Sequence, residues 1–141
     1  MDRFFLLIDD DADDSELFRE ALEETDSSVS LQCAENGEEA LSLLKDIQKP
    51  DIIFLDINMP RMNGWECLKR LKNNEEYKDI PVIMYSTSSY QREMDIANDF
   101  GAWSFFTKPH SYNELRKMLK NVLEKLNAGK LELLRVIASN A

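Results

Sequence analysis

Short apolar runs recur along the chain at Phe4 to Ile8, Val29 to Ala34, Asp51 to Leu55, Val82 to Tyr85 and Trp103 to Phe106. Continuous runs such as Phe-Phe-Leu-Leu-Ile and Ile-Ile-Phe-Leu suit strands covered on both faces, as in a parallel sheet, whereas a half-exposed sheet alternates. Between the runs the apolar positions switch to helical spacing. Leu17, Phe18, Ala21 and Leu22 predict a first helix. Asn36, with Glu39 three residues on, predicts a capped second helix carrying Ala40, Leu41, Leu44 and Ile47, stopped by Pro50. Trp65, Leu68 and Leu71 mark a third, beginning at Gly64, and Met94, Ala97 and Phe100 a fourth, with Gly101 as its left-handed cap. Leu115, Met118, Leu119, Val122 and Leu126 repeat on one face of a fifth.

Five strands alternating with five helices predict an α/β domain with an open, doubly wound, five-stranded parallel sheet and right-handed crossovers. The apolar helix stripes are expected to be core. The domain is expected over residues 1–127, with 128–141 a short C-terminal tail whose Leu131, Leu134 and Ile137 stand three apart, as in an amphipathic segment.

In such a sheet, ligands sit beyond the carboxyl ends of the strands. Asp9, Asp10 and Asp11 follow the first run, Asp56 the third, Ser86, Thr87 and Ser88 the fourth, and Lys108 the fifth. Each alone has a bland reading: charge at a helix start, a capping turn, a solvated cation. One loaded group after each of four strands instead predicts a shared crevice. Clustered carboxylates raise one another's pKa unless a cation neutralises them, and oxygen ligands without His or Cys favour Mg²⁺. A carboxylate is also a nucleophile toward phosphorus, giving an aspartyl phosphate. Mg²⁺, the Lys108 ammonium, and a hydroxyl with nearby backbone N–H would each suit one phosphoryl oxygen.

Composition narrows the field. A chain of 141 residues suits one core, and 17 Lys and Arg against 27 Asp and Glu give a net charge of −10. Such a charge repels phosphate backbones, so the expected partner is a protein rather than a nucleic acid. No apolar run approaches the roughly 20 residues of a membrane span, and the start lacks a secretory pattern, so the cytoplasm is expected. Cys33 and Cys67 are expected as small core residues and His110 as a surface-loop residue. Four glycines and no G-x-x-x-x-G-K-[ST] run exclude a P-loop nucleotide site.

The segments FFLLIDDD, FLDINMPRMNG, PVIMYSTS and GAWSFFTKP resemble, in order and spacing, the four signature blocks of the response-regulator receiver family, and the resemblance runs from Phe4 to Leu126. It implies a flavodoxin-like (βα)5 fold with strand order 2-1-3-4-5. By matching position it implies Asp56 as phosphoacceptor, Asp10 as a direct metal ligand, and Asp9 as a ligand acting mainly through water. Asn58 would offer its backbone carbonyl to the Mg²⁺, Ser86 would be the switch hydroxyl and Lys108 the phosphate-binding lysine. Lys108–Pro109 resembles a step that is often cis in the family and aims the lysine inward. Two departures stand out. Thr87 occupies a position where the family often has Ala or Gly, which narrows access, and Phe105, the aromatic switch position, has no hydroxyl, so its signal must travel by packing. Asp11 and Asp13 are expected as charge around the site and the helix start.

The function implied is that of a stand-alone response regulator. It would take its phosphoryl group from a histidine kinase or a His-containing phosphotransfer protein and switch a protein-binding surface, with dimerisation left open. It would be no enzyme beyond catalysing its own phosphorylation and slow dephosphorylation. Two other readings compete. A phosphate-independent docking module of the same fold is opposed by the presence of Asp9, Asp10, Asp56, Ser86 and Lys108. A haloacid dehalogenase-type phosphatase is suggested by Asp9-x-Asp11, Ser86 and Lys108, but it lacks the acidic pair after a further strand and leaves Asp56 without a role.

Overall fold

A computed structural model describes residues 2–88 and 91–135. Five strands, β1 (Phe4–Ile8), β2 (Ser30–Ala34), β3 (Ile52–Leu55), β4 (Val82–Ser86) and β5 (Ser104–Thr107), alternate with α1 (Ala12–Thr25), α2 (Gly37–Leu44), α3 (Gly64–Lys72), α4 (Gln91–Asp99) and α5 (Tyr112–Asn127). A short 3₁₀ helix, Leu131–Leu134, follows. All pairings are parallel and the sheet order is β2-β1-β3-β4-β5, as the resemblance implies.

Side chains of successive strand residues point to opposite faces, so each buried strand feeds two cores. Leu6, Ile8, Ile53, Leu55, Val82 and Met84 pack with Ala40, Leu44, Cys67, Leu68, Leu71 and Ala97 of α2, α3 and α4. Phe5, Leu7, Ile52, Phe54, Ile83 and Tyr85 pack with Phe18, Ala21, Leu22, Leu115, Leu119 and Val122 of α1 and α5. Four aromatic rings tie the second layer together: Phe54 lies 5.5 Å from Phe5, 5.1 Å from Phe18 and 6.3 Å from Tyr85, centroid to centroid. Tilted and edge-on contacts of this kind add to simple burial.

Helix starts are fixed by side-chain caps, which satisfy backbone donors that the first turn leaves free. Asp11 accepts from Asp13 and Asp14 N–H, Asn36 from Glu39, Asn63 from Glu66 and Ser111 from Glu114. Gly101 adopts φ +88 just past α4, as expected of a left-handed cap.

Several expectations need correction. Helix α2 stops at Leu44 and leaves Ile47 outside it, because Lys45 and Asp46 N–H turn back onto Ser42 and Leu43 carbonyls and tighten the last turn well before Pro50. Leu17, expected in the core stripe, is 46% exposed, since Phe18, Ala21 and Leu22 fill the buried face of α1. β2 begins one residue later than the apolar run, and β5 is shifted by one toward Thr107. Cys67 is buried as expected, but Cys33 is only half-buried.

Of the predicted tail, Gly129 turns the chain at φ +70, Leu134 is buried against the α1–α5 layer, and the Trp103 indole N–H donates to the Leu131 carbonyl at 3.0 Å. Ile137 lies outside the described residues. Among the described residues, no helix is long and apolar enough to cross a membrane.

Candidate functional site

The loaded residues are placed by an extension of the sheet's own hydrogen bonding. Asp9 N–H donates to the carbonyl of Ala34 at the end of β2 (3.0 Å), Asp56 N–H to Ile8 at the end of β1 (2.9 Å), and Lys108 N–H to Ser86 at the end of β4 (2.6 Å). Each is thus held one residue past its strand, where the ladder still fixes the backbone. Three segments far apart in sequence converge there because β1, β3, β4 and β5 lie side by side in the sheet, with Lys108 past β5 tied back to β4.

Asp9, Asp10 and Asp56 each bring a carboxylate oxygen within 4.8 Å of the others; Asp10 is exposed, while Asp9 and Asp56 are buried. Asp9 Oδ1 accepts the Asp11 N–H at 2.9 Å. Its Oδ2 has no well-angled hydrogen bond, although the Lys108 ammonium stands 2.7 Å away as an ion-pair partner. Asp56 Oδ1 accepts the Ile57 N–H at 2.8 Å, and its Oδ2 lies 3.8 Å from Lys108 Nζ. Burial pushes the Asp56 carboxyl up to about 6; Lys108 opposes the rise, and the Asp9 and Asp10 charges add to it. Asp9 is also raised by burial, against the pull of Lys108. Burial would lower the Lys108 pKa, but the hydrogen bond to Asp14 and the close Asp9 carboxylate outweigh it and the lysine stays firmly charged.

These carboxylates are held close at a cost in free energy that a cation would relieve. The donor set is all oxygen, three carboxylates within reach of one another and served by a single ammonium, so it fits a hard divalent ion such as Mg²⁺. Asn58 sits in the exposed turn two residues after Asp56, and none of the described donors takes its carbonyl.

Gly64 makes that turn possible. A Cβ there would collide with the Asp56 carbonyl oxygen and stand 2.7 Å from Ile57 Cα, and the Gly64 N–H donates to the Ile57 carbonyl at 2.7 Å. The start of α3 therefore rests directly on the backbone that carries Asp56. The sequence marked Gly64 only as a helix start.

The remaining predicted residues are placed as follows. Ser86 ends β4 and is fully buried, and among the described residues its hydroxyl makes only long 3.4 Å contacts with Ser88. Phe105, paired with Met84 in the β4–β5 register, is 4% exposed, its ring already in the layer beneath α2, α3 and α4. Thr87 and His110 are exposed. Asp11 caps α1, and Asp13 is exposed beside it. The expected cis step is corrected: no cis peptide occurs among the described residues, and Lys108 is aimed inward by its ion pairs rather than by a cis bond at Pro109. One participant was missed. Asp14 Oδ2 accepts from Lys108 Nζ at 2.8 Å, across 94 positions of sequence. Only its place in the first turn of α1, beside the strand ends, hinted at this.

Residues 5–120 match the family model described as the response regulator receiver domain. The chain is similar to the phosphate regulon transcriptional regulatory protein PhoB of Pseudomonas aeruginosa, 36% identical over 129 residues, covering 90% of this chain and 54% of that protein. It spans between about a third and just over half of several of the curated relatives it matches. Among solved structures it is similar to the phosphorylated cyanobacterial phytochrome response regulator RcpA, with TM-score 0.83, 26% identity, and 92% of this chain and 96% of that one covered. It is also similar to the Mn²⁺-bound form of response regulator Rcp1, with TM-score 0.76, 27% identity, and 85% and 91% covered. With the strand order, the helix arrangement and the family match in agreement, this chain belongs to the response regulator receiver domain family of two-component systems.

Proposed function

We propose that Asp56 accepts a phosphoryl group from a histidine kinase or a His-containing phosphotransfer protein, and that the acyl phosphate switches a protein-binding surface. The observation that carries the reading is the arrangement of the Asp56 carboxylate. Oδ1 is tied to Ile57 N–H, which leaves Oδ2 as the attacking oxygen, with the ammonium of Lys108 3.8 Å away. That gap leaves room for a phosphoryl oxygen to meet the ammonium. Asp56 Oδ2 forms the bond to phosphorus as the donor's own bond to phosphorus breaks; Lys108 and nearby backbone N–H groups oppose the charge on the transferred oxygens.

Asp9, Asp10 and Asp56, with the Asn58 carbonyl, would hold Mg²⁺, which when bound supplies charge neutralisation for the incoming phosphoryl group. That the similar Rcp1 has a Mn²⁺-bound form supports a divalent ion for this chain. Ser86, buried and weakly bonded, is the hydroxyl free to turn toward a phosphoryl oxygen. A phosphoryl group adds about 1.5 to 2 negative charges. Such a turn would be felt by Phe105 across the β4–β5 register, shifting the population of the surface beyond it.

Acetyl phosphate with Mg²⁺ tests the site: one acid-stable, base- and hydroxylamine-labile phosphoryl group is expected by intact mass, and none on Asp56→Asn. Undiminished labelling of that variant removes Asp56 as the acceptor, and no labelling of the wild type leaves a phosphate-independent docking module. Ser86→Ala tests the switch. It should still be labelled, but its phosphorylation-dependent NMR shifts around Phe105 and α4 should shrink; a full wild-type pattern rules out coupling through Ser86.

A further inference from the structure

Lys108 Nζ stands 2.7 Å from Asp9, 2.8 Å from Asp14 and 3.8 Å from Asp56. Two of these partners, Asp9 and Asp56, belong to the carboxylate trio that fits a divalent cation, whereas Asp14 does not. A cation entering the trio draws on the charge of Asp9, whose Oδ2 now faces the ammonium, and a doubly charged ion beside an ammonium repels it. The lysine then needs an anion of its own. Asp14 is the carboxylate within reach that is left over. It is fixed for that role from below, since its N–H donates to the capping Asp11 at 3.1 Å. The Lys108 backbone is equally fixed by Ser86. A cavity of about 100 Å³ lined by Asp14, Tyr85 and Lys108 gives the ammonium room on this side, with the Tyr85 ring centroid 5.5 Å from Nζ.

We propose that Asp14 is a positioning residue for Lys108: it keeps the ammonium paired and beside the site when a cation or a phosphoryl group claims Asp9 and Asp56. This rests on the reading of Asp9, Asp10 and Asp56 as a divalent-cation site. Without Asp14 the ammonium has only Asp9 within 3 Å and is free to close on Asp56. Mg²⁺ must then compete with a lysine that has nowhere else to go.

The probe is Mg²⁺ alone, titrated into wild type, Asp14→Asn and Asp13→Asn and followed by backbone amide shifts, which also report that each variant is folded. Asp13 is the control: it lies in the same helical turn, loses the same charge and is exposed. Asp14→Asn should weaken Mg²⁺ about three- to tenfold, the span between an exposed and a partly buried ion pair, and Asp13→Asn less than about twofold. In a Lys108→Met background the two substitutions should become alike, because the coupling runs through the ammonium. In metal-free protein, the Lys108 side-chain ¹⁵N resonance should move in Asp14→Asn and stay in place in Asp13→Asn.

Equal Mg²⁺ affinities for the two variants, an Asp14→Asn effect that survives Lys108→Met, or an unmoved Lys108 resonance would each overturn the positioning role. Failure of the underlying reading looks different: wild type itself would show no saturable Mg²⁺ response, and the positioning role would fall with it.

Discussion

Replacing Asp56 with Asn should make the metal-free protein more stable at neutral pH, although it removes the reactive group. The folded-state pKa of Asp56 is about 6 against an ordinary 3.8, chiefly because the carboxyl is buried. A raised carboxyl pKa means that the folded state prefers the neutral acid. Its contribution is fully present below about pH 3.8 and is lost as the pH climbs through about 6, so above that the folded state carries a charge it disfavours. A shift of about two units, at 1.36 kcal/mol each, sets a ceiling of about 3 kcal/mol. The exposed Asp10 opens the site to water, and screening brings the expected gain down to about 1–2 kcal/mol. Asn has the same shape without the charge, and Lys108 keeps its contacts with Asp9 and Asp14 when Asp56 is neutral. With a urea slope of about 2 kcal/mol/M, the middle of the usual range, the midpoint at pH 7.5 in EDTA should rise by about 0.5–1 M in Asp56→Asn. The gap should shrink as the pH is lowered to 4.5. It should also shrink when Mg²⁺ is added, because bound cation stabilises the wild type by mass action. A variant no more stable than wild type at pH 7.5, or a gap that does not change with pH, would refute the electrostatic account of the crevice.

Two further outcomes follow from packing. Gly64→Ala should cost about 2–3 kcal/mol in urea unfolding and move the amide signals of Asp56 and Ile57, because the added Cβ meets fixed backbone; Gly37→Ala, whose Cβ meets the movable Met62 side chain at 2.7 Å, should cost less, and equal costs would contradict this contrast. Cys67, buried and with its thiol pushed up to about 12, should resist alkylation at pH 8 in the folded protein, while half-buried Cys33 reacts first; equal rates would show that the α3 packing is looser than described.

Local pattern was sufficient for the elements and for the four chemical groups. Continuous apolar runs require cover on both faces, and Asn36, Gly101 and the α5 stripe act within a few residues of themselves, so no knowledge of the rest of the chain is needed to read them. The position of Asp56 after a buried strand was legible for the same reason. Where local signals compete, the sequence misled. Pro50 marked a stop, but α2 had already ended at Leu44 through its own backbone bonds, and Leu17 fitted the helical stripe while the α1–α5 layer had room only for Phe18, Ala21 and Leu22.

Tertiary structure alone decided which charges meet. Lys108 has three carboxylates within reach, just past β1, in α1 and just past β3, and nothing in the spacing of Asp9, Asp14 and Asp56 says that the ammonium lies closer to the first two than to the third. Likewise, a helix start explains a glycine at 64, but only the approach of α3 to the Asp56 backbone explains why no side chain fits there. Such contacts depend on differences of about an ångström between segments joined only by the fold, a scale on which sequence periodicity carries no information.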